Sequence, residues 1–101
     1  MKQCCKDYLM EQFGDEDVVR EIYAEYVNSM QEKIPQIEVA LTAANWSGLD
    51  ALAHAIKGNA LATGDSPAAD VAIALRGAAK MSDRETARSL FGKLKGLAEE
   101  L

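Results

Sequence analysis

Apolar residues recur at helical spacing along most of this chain. Residues 5–13 predict a short first helix whose Tyr8, Leu9 and Phe13 cover one end of a bundle. Gly14 and Asp15 mark a break and an N-cap, after which Val19, Ile22, Tyr23, Tyr26 and Met30 form an apolar stripe. The stripe stays in phase through Ile34, Ile37, Leu41 and Ala44 across Pro35, which predicts a kinked but continuous helix over 16–44. Ser47 with Asp50 reads as the capping pair of a third helix, with the stripe Leu49, Leu52, Ala53, Ile56, Ala60 and Thr63 and a stop at Gly64-Asp65. Ser66-Pro67 places an N-cap before a proline at the first helical position and opens a helix over 67–80, with Ala68, Val71, Ala72, Leu75 and Ala79 inward. Ser82-Asp83-Arg84-Glu85 reads as a capping box before a last helix with the stripe Ala87, Leu90, Phe91, Leu94, Leu97 and Leu101. The expected fold is all-α: an antiparallel up-and-down four-helix bundle with a short additional N-terminal helix, one domain over 1–101.

Composition supports the all-helical reading, since Ala, Leu, Glu and Met are plentiful and only two prolines occur. A chain of 101 residues builds one core and has no room for an ATP-binding catalytic module beside it. The net charge of −5 excludes a general nucleic-acid binder, which needs a basic face against phosphates. That acidity sits in residues 1–38, with four Lys/Arg against nine Asp/Glu, while residues 39–101 hold seven of each. Cys4 and Cys5 are adjacent, with no other cysteine to pair with and no nearby histidine to complete a metal site, so they read as free thiols. The N-terminus has no apolar signal region and the chain has no run of about 18 apolar residues, so a soluble cytoplasmic monomer is expected.

The candidate chemistry lies in the third helix. His54, the sole histidine, projects about 140° from the direction of Leu49, outside the apolar stripe, and is expected to be wet. Asp50, Lys57, Gly58 and Leu61 share that outward side, and Ala51, Ala55, Gly58 and Ala62 are too small to shield the imidazole from another protein. Leu61 reads as part of an apolar rim for such a partner in preference to a scattered surface leucine. Trp46 reads as a packing residue at the bundle end. A di-iron bundle site is excluded, because it needs Glu-x-x-His pairs pointing inward from facing helices.

The run Ala53-His54-Ala55-Ile56-Lys57-Gly58, with Gly64 farther on, resembles the hallmark of the histidine-containing phosphotransfer (HPt) family. Ala40-Leu41 through Asn45 is similar to that family's approach to its histidine helix, and Leu75 through Lys80 to its following helix, so the likeness covers most of residues 16–95. The resemblance implies a phosphorelay carrier that takes a phosphoryl group on His54 from a sensor kinase or its receiver domain and passes it to a response-regulator aspartate. The alternative is a degenerate module that docks on receivers or kinases without carrying phosphate. No intrinsic cofactor is expected, and Mg²⁺ would come with the receiver.

The residue types suit that chemistry. Neutral imidazole, with a reference pKa of about 6.5, is a nucleophile near neutral pH. Lys57, three residues on, places an ammonium near the phosphoryl oxygens, and Gly58 admits a receiver loop. Asp50, Ala51, Gly58, Leu61 and Ala62 are the expected partner-binding positions. Two residues depart from the family pattern. Asn59 stands where a small hydroxyl residue is common and is expected to affect how the imidazole or lysine is oriented. Arg76 stands where an acidic residue commonly follows the leucine, and is expected to add positive charge toward the binding face.

Overall fold

A computed structural model describes residues 1–101 as five helices and no strand: α1 (Gln3–Phe13), α2 (Glu16–Thr42), α3 (Trp46–Thr63), α4 (Ser66–Lys80) and α5 (Arg84–Glu99). The long helices α2 to α5 close into an up-and-down bundle in which α3 packs most extensively on α4, α4 on α5, and α2 on both α3 and α5. The apolar stripes meet inside, with Ile37, Leu41, Leu49, Ile56, Leu75 and Leu94 almost fully shielded. The buried faces of α3 and α4 are rich in alanine, with Ala53, Ala60, Ala68, Ala72 and Ala79 all shielded, and small side chains let helix backbones approach closely. The molecule measures 42 × 19 × 19 Å. At a rise of about 1.5 Å per residue, α2 alone spans nearly that length, and it runs unbroken through Pro35.

The four connections follow one plan, which moves three expected caps. Each contains a left-handed residue followed directly by Asn or Asp: Gly14-Asp15, Ala44-Asn45, Gly64-Asp65 and Ser82-Asp83. The left-handed residue turns the chain and closes the helix behind it, so that the N–H groups of Asn45, Asp65 and Asp83 reach back to the carbonyls of Ala40, Ala60 and Ala78 at 2.8–3.0 Å. The Asx side chain then caps the helix ahead. Asp15 accepts from Asp17 and Val18, Asn45 from Gly48, Asp65 from Ala68 and Asp83 from Thr86. The caps of α3, α4 and α5 are therefore Asn45, Asp65 and Asp83, not Ser47, Ser66 and Ser82. Ser82 is unavailable because it is the left-handed residue, at φ 51°. For the same reason α2 stops at Thr42 instead of 44, with Ala44 in the turn at φ 52°. The Thr86 hydroxyl and then its N–H hold the Asp83 carboxyl below the usual range.

α1 lies across the bundle end where α3 turns into α4, with Cys5 and Leu9 fully buried. Phe13, expected to help cover that end, remains 53% exposed, whereas Tyr8 packs against Gly64. Beneath α1 sits Asp65, wholly buried, accepting from Lys2 Nζ at 2.9 Å and from the Tyr26 hydroxyl at 2.6 Å. The Tyr23 hydroxyl accepts from the Lys2 N–H at 3.0 Å and donates to the Leu101 carbonyl at 3.3 Å, tying both chain ends to this layer. No helix is long and apolar enough to cross a membrane.

Candidate functional site

His54 sits midway along α3 because Leu49, Ala53, Ile56 and Ala60 claim the inward side of that helix. The imidazole is exposed and makes no side-chain hydrogen bond or ion pair. Lys57, on the same side, is half-buried and likewise unpaired, so its ammonium is uncommitted. Gly58 is exposed, and a Cβ added there would meet nothing within 4 Å. Ala51 is exposed as well and Ala55 partly so, which leaves the helix surface on those sides of the imidazole open.

The side of α3 that carries His54 is bordered by α4, and that contact decides the electrostatics. Arg76 Nε donates to Asp50 Oδ1 at 2.9 Å, with the two side chains 25% and 33% exposed. Asp50 lies one turn before His54. Its carboxyl is held below the usual range first by the Arg76 hydrogen bond, with smaller contributions from the charges of Arg76, Lys80 and His54. The charges of Arg76, Lys80 and His54 thus converge on Asp50, with Lys57 one turn beyond His54 on α3. The Arg76 charge is balanced by Asp50 in the resting protein and does not stand free on the face, as the sequence had suggested. Asp50, conversely, is an anchored ion-pair partner in place of a free acidic contact.

The remaining expected positions divide. Leu61 is 53% exposed on the same side of α3 as His54. On α4, Ile73 is 52% exposed and three residues from Arg76, so it extends the apolar part of the face. The sequence does not single out Ile73 and Lys80, because only the α3–α4 pairing brings α4 alongside the helix of His54 and the charge of Lys80 to Asp50; their exposed positions in α4 were the available signal. Ala62 does not join them. It is exposed but turned toward α2, lining a concavity with Glu25, Ser29 and Asn59. Asn59 also faces away from the imidazole and the lysine. Its Nδ2 donates to Ser29 Oγ at 3.0 Å, where Lys33 Nζ also donates at 2.8 Å, so it ties α3 to α2.

Gly64 stands at φ 77°, and its N–H closes α3 onto the carbonyls of Ala60 and Leu61. Any Cβ there would run into Tyr8. Its place in the motif is thus a turn requirement distant from the imidazole. Cys4 and Cys5 are free thiols, exposed and buried respectively. The fold brings them together with Asp65, ligand atoms within 4.8 Å of one another, a proximity that sequence could not show. The Asp65 carboxylate is already engaged by Lys2 and Tyr26.

A sequence model of the Hpt domain matches residues 21–101. The chain belongs to the Hpt domain family. It is a histidine phosphotransfer module of the phosphorelay type, and Hpt domains work with receiver and kinase domains. The match begins inside α2, so α1 lies outside the matched region, whereas Asp65, on which α1 rests, lies within it. Neither a curated protein nor a solved structure matches this Hpt domain.

Proposed function

We propose that this Hpt domain carries a phosphoryl group on His54 between a sensor kinase, or its receiver domain, and a response-regulator aspartate. The observation that carries the reading is the exposed, unbonded imidazole in mid-helix, with the unpaired Lys57 on its side and the bare backbone of Gly58 next to it. The unprotonated ring nitrogen attacks the phosphorus of a receiver's aspartyl phosphate. An N–P bond forms as the O–P bond breaks, and the aspartate leaves as a carboxylate with the bonding pair. The other ring nitrogen keeps its proton, and the reverse sequence delivers the group to the next receiver. Lys57 stabilises charge on the phosphoryl oxygens, while Mg²⁺ belongs to the receiver's site. Leu61 and Ile73 form the apolar contact, with Ala51 and Gly58 leaving room for a partner backbone.

The test is incubation with a phosphorylated receiver domain, followed by a search for acid-labile, base-stable phosphate. Uptake by the wild type and none by His54→Gln supports the carrier reading. Receiver binding without uptake replaces it with the docking module.

A further inference from the structure

Arg76 is the cation of this face that the transfer chemistry leaves unused. Guanidinium has five N–H donors, and here only Nε is engaged, on Asp50 Oδ1 at 2.9 Å; neither Nη group donates to a protein acceptor. Asp50 and His54 are one turn apart on α3, with side-chain bases about 5–6 Å from each other. A phosphoryl group brings about two negative charges at neutral pH. On His54 it stands one turn from the Asp50 carboxylate, a like-charge pair that opposes the phosphorylated state.

The guanidinium is already seated on the carboxylate that repels. Its planar fork can serve two anions at once, Nε on Asp50 and the Nη groups on a second acceptor, which a lysine's point charge does less well. Arg76 comes from α4 and sits on Asp50, one turn before His54, whereas Lys57 comes from α3 itself, so the two cations belong to different helices. We propose that Arg76 bridges Asp50 and the phosphoryl group of phospho-His54, donating through its free Nη groups to the phosphoryl oxygens. Asp50 then acts as a positioning residue that holds the guanidinium in place before phosphate arrives, at the cost of a repulsion that Arg76 itself cancels. Lys80 adds charge behind the pair, since it already acts on Asp50. The inference rests on the carrier reading of His54.

Phosphoramidate, which needs no docking surface, phosphorylates the wild type and the variants Arg76→Gln, Arg76→Lys and Asp50→Asn/Arg76→Gln. The phosphoryl resonance is then followed by ³¹P NMR against pH. The groups facing that phosphate are Asp50 and Lys57 from α3 and Arg76 and Lys80 from α4. Loss of the bridging cation raises the midpoint of the phosphoryl ionisation in Arg76→Gln by about half a unit to one unit, a factor of about 3–10 in proton affinity. Arg76→Lys recovers part of the shift, and the double variant lowers the midpoint again because the repelling carboxylate is gone. If Arg76 only neutralises Asp50, the double variant returns to the wild-type midpoint, which overturns the bridge; with the bridge, the double variant stays above the wild type because the Nη donors are missing. Coincident midpoints in wild type, Arg76→Gln and Arg76→Lys overturn the bridge while leaving the carrier reading intact; a wild type that takes no phosphate on His54 overturns both.

Discussion

At the scale of single residues, the candidate site is built from side chains that the core does not need. Lys57 makes no ion pair, so Lys57→Ala removes charge from the phosphoryl site and little else. We expect transfer slowed about 10- to 100-fold, about 1.4–2.7 kcal/mol of lost stabilisation, at unchanged melting. Stopped-flow or gel-based transfer kinetics with a receiver check this, and wild-type rates would reduce Lys57 to a solvated surface residue. Gly58 tests the approach of a partner. Open space surrounds its Cα, and a mid-helix glycine costs about 1 kcal/mol against alanine. Gly58→Gln should therefore melt higher yet bind a receiver more weakly, while its His54 still reacts with phosphoramidate. Calorimetric titration decides it: unaltered affinity would move the interface away from this side of α3.

At the scale of elements, the joints govern. A left-handed residue followed by an Asx cap lets each helix reverse in two or three residues, and this sets the antiparallel pairing of α3 with α4 on which the Asp50–Arg76 bond depends. Gly64 has the strictest joint, because the backbone is at φ 77° and Tyr8 of α1 packs on it. Left-handed backbone costs a residue with a Cβ about 1–2 kcal/mol, and the displaced Tyr8 adds to that. Gly64→Ala should thus lower the melting temperature by at least about 4–8 °C while the reactivity of His54 toward phosphoramidate persists. Loss of that reactivity in a folded variant would show that the glycine serves the imidazole and not the turn.

At the scale of the whole molecule, the long bundle separates the His54 face from a buried polar end under α1. Burial, followed by the charge of Asp65, pushes the Cys5 thiol up from 9.0 to about 12. Burial also raises the Tyr23 and Tyr26 hydroxyls above 10.0, with the bond to Asp65 adding to the effect on Tyr26. Burial opposes the Lys2 charge, but the Asp65 hydrogen bond and charge outweigh it and raise Lys2 above 10.5. Every one of these folded-state values lies above its unfolded value, so each contribution is fully present below the unfolded value and is lost as pH rises through the folded one. Melting temperature should stay level between pH 7 and 9 and fall between about pH 9 and 12, less steeply in Cys5→Ala. A melting temperature independent of pH over that window would show that the end layer does not couple to folding.

The sequence by itself determined the helices, their inward stripes, the outward phase of His54 and its spacing to Lys57 and Gly58. These are local matters, set by a period of about 3.6 residues and by backbone preferences that act over a few positions. Continuity of α2 through Pro35 was legible for the same reason. Ser47, Ser66 and Ser82 misled because a cap is chosen by the geometry of the whole joint, which put Asn45, Asp65 and Asp83 there. Only the tertiary structure decided what crosses between helices. It turned Asn59 and Ala62 toward α2, paired Arg76 with Asp50, brought the charge of Lys80 to bear on Asp50, and buried Asp65 between Lys2 and Tyr26. Residues 26 or more positions apart meet only when two helices pack, and the angle and register of that packing come from the fitted shapes of many side chains.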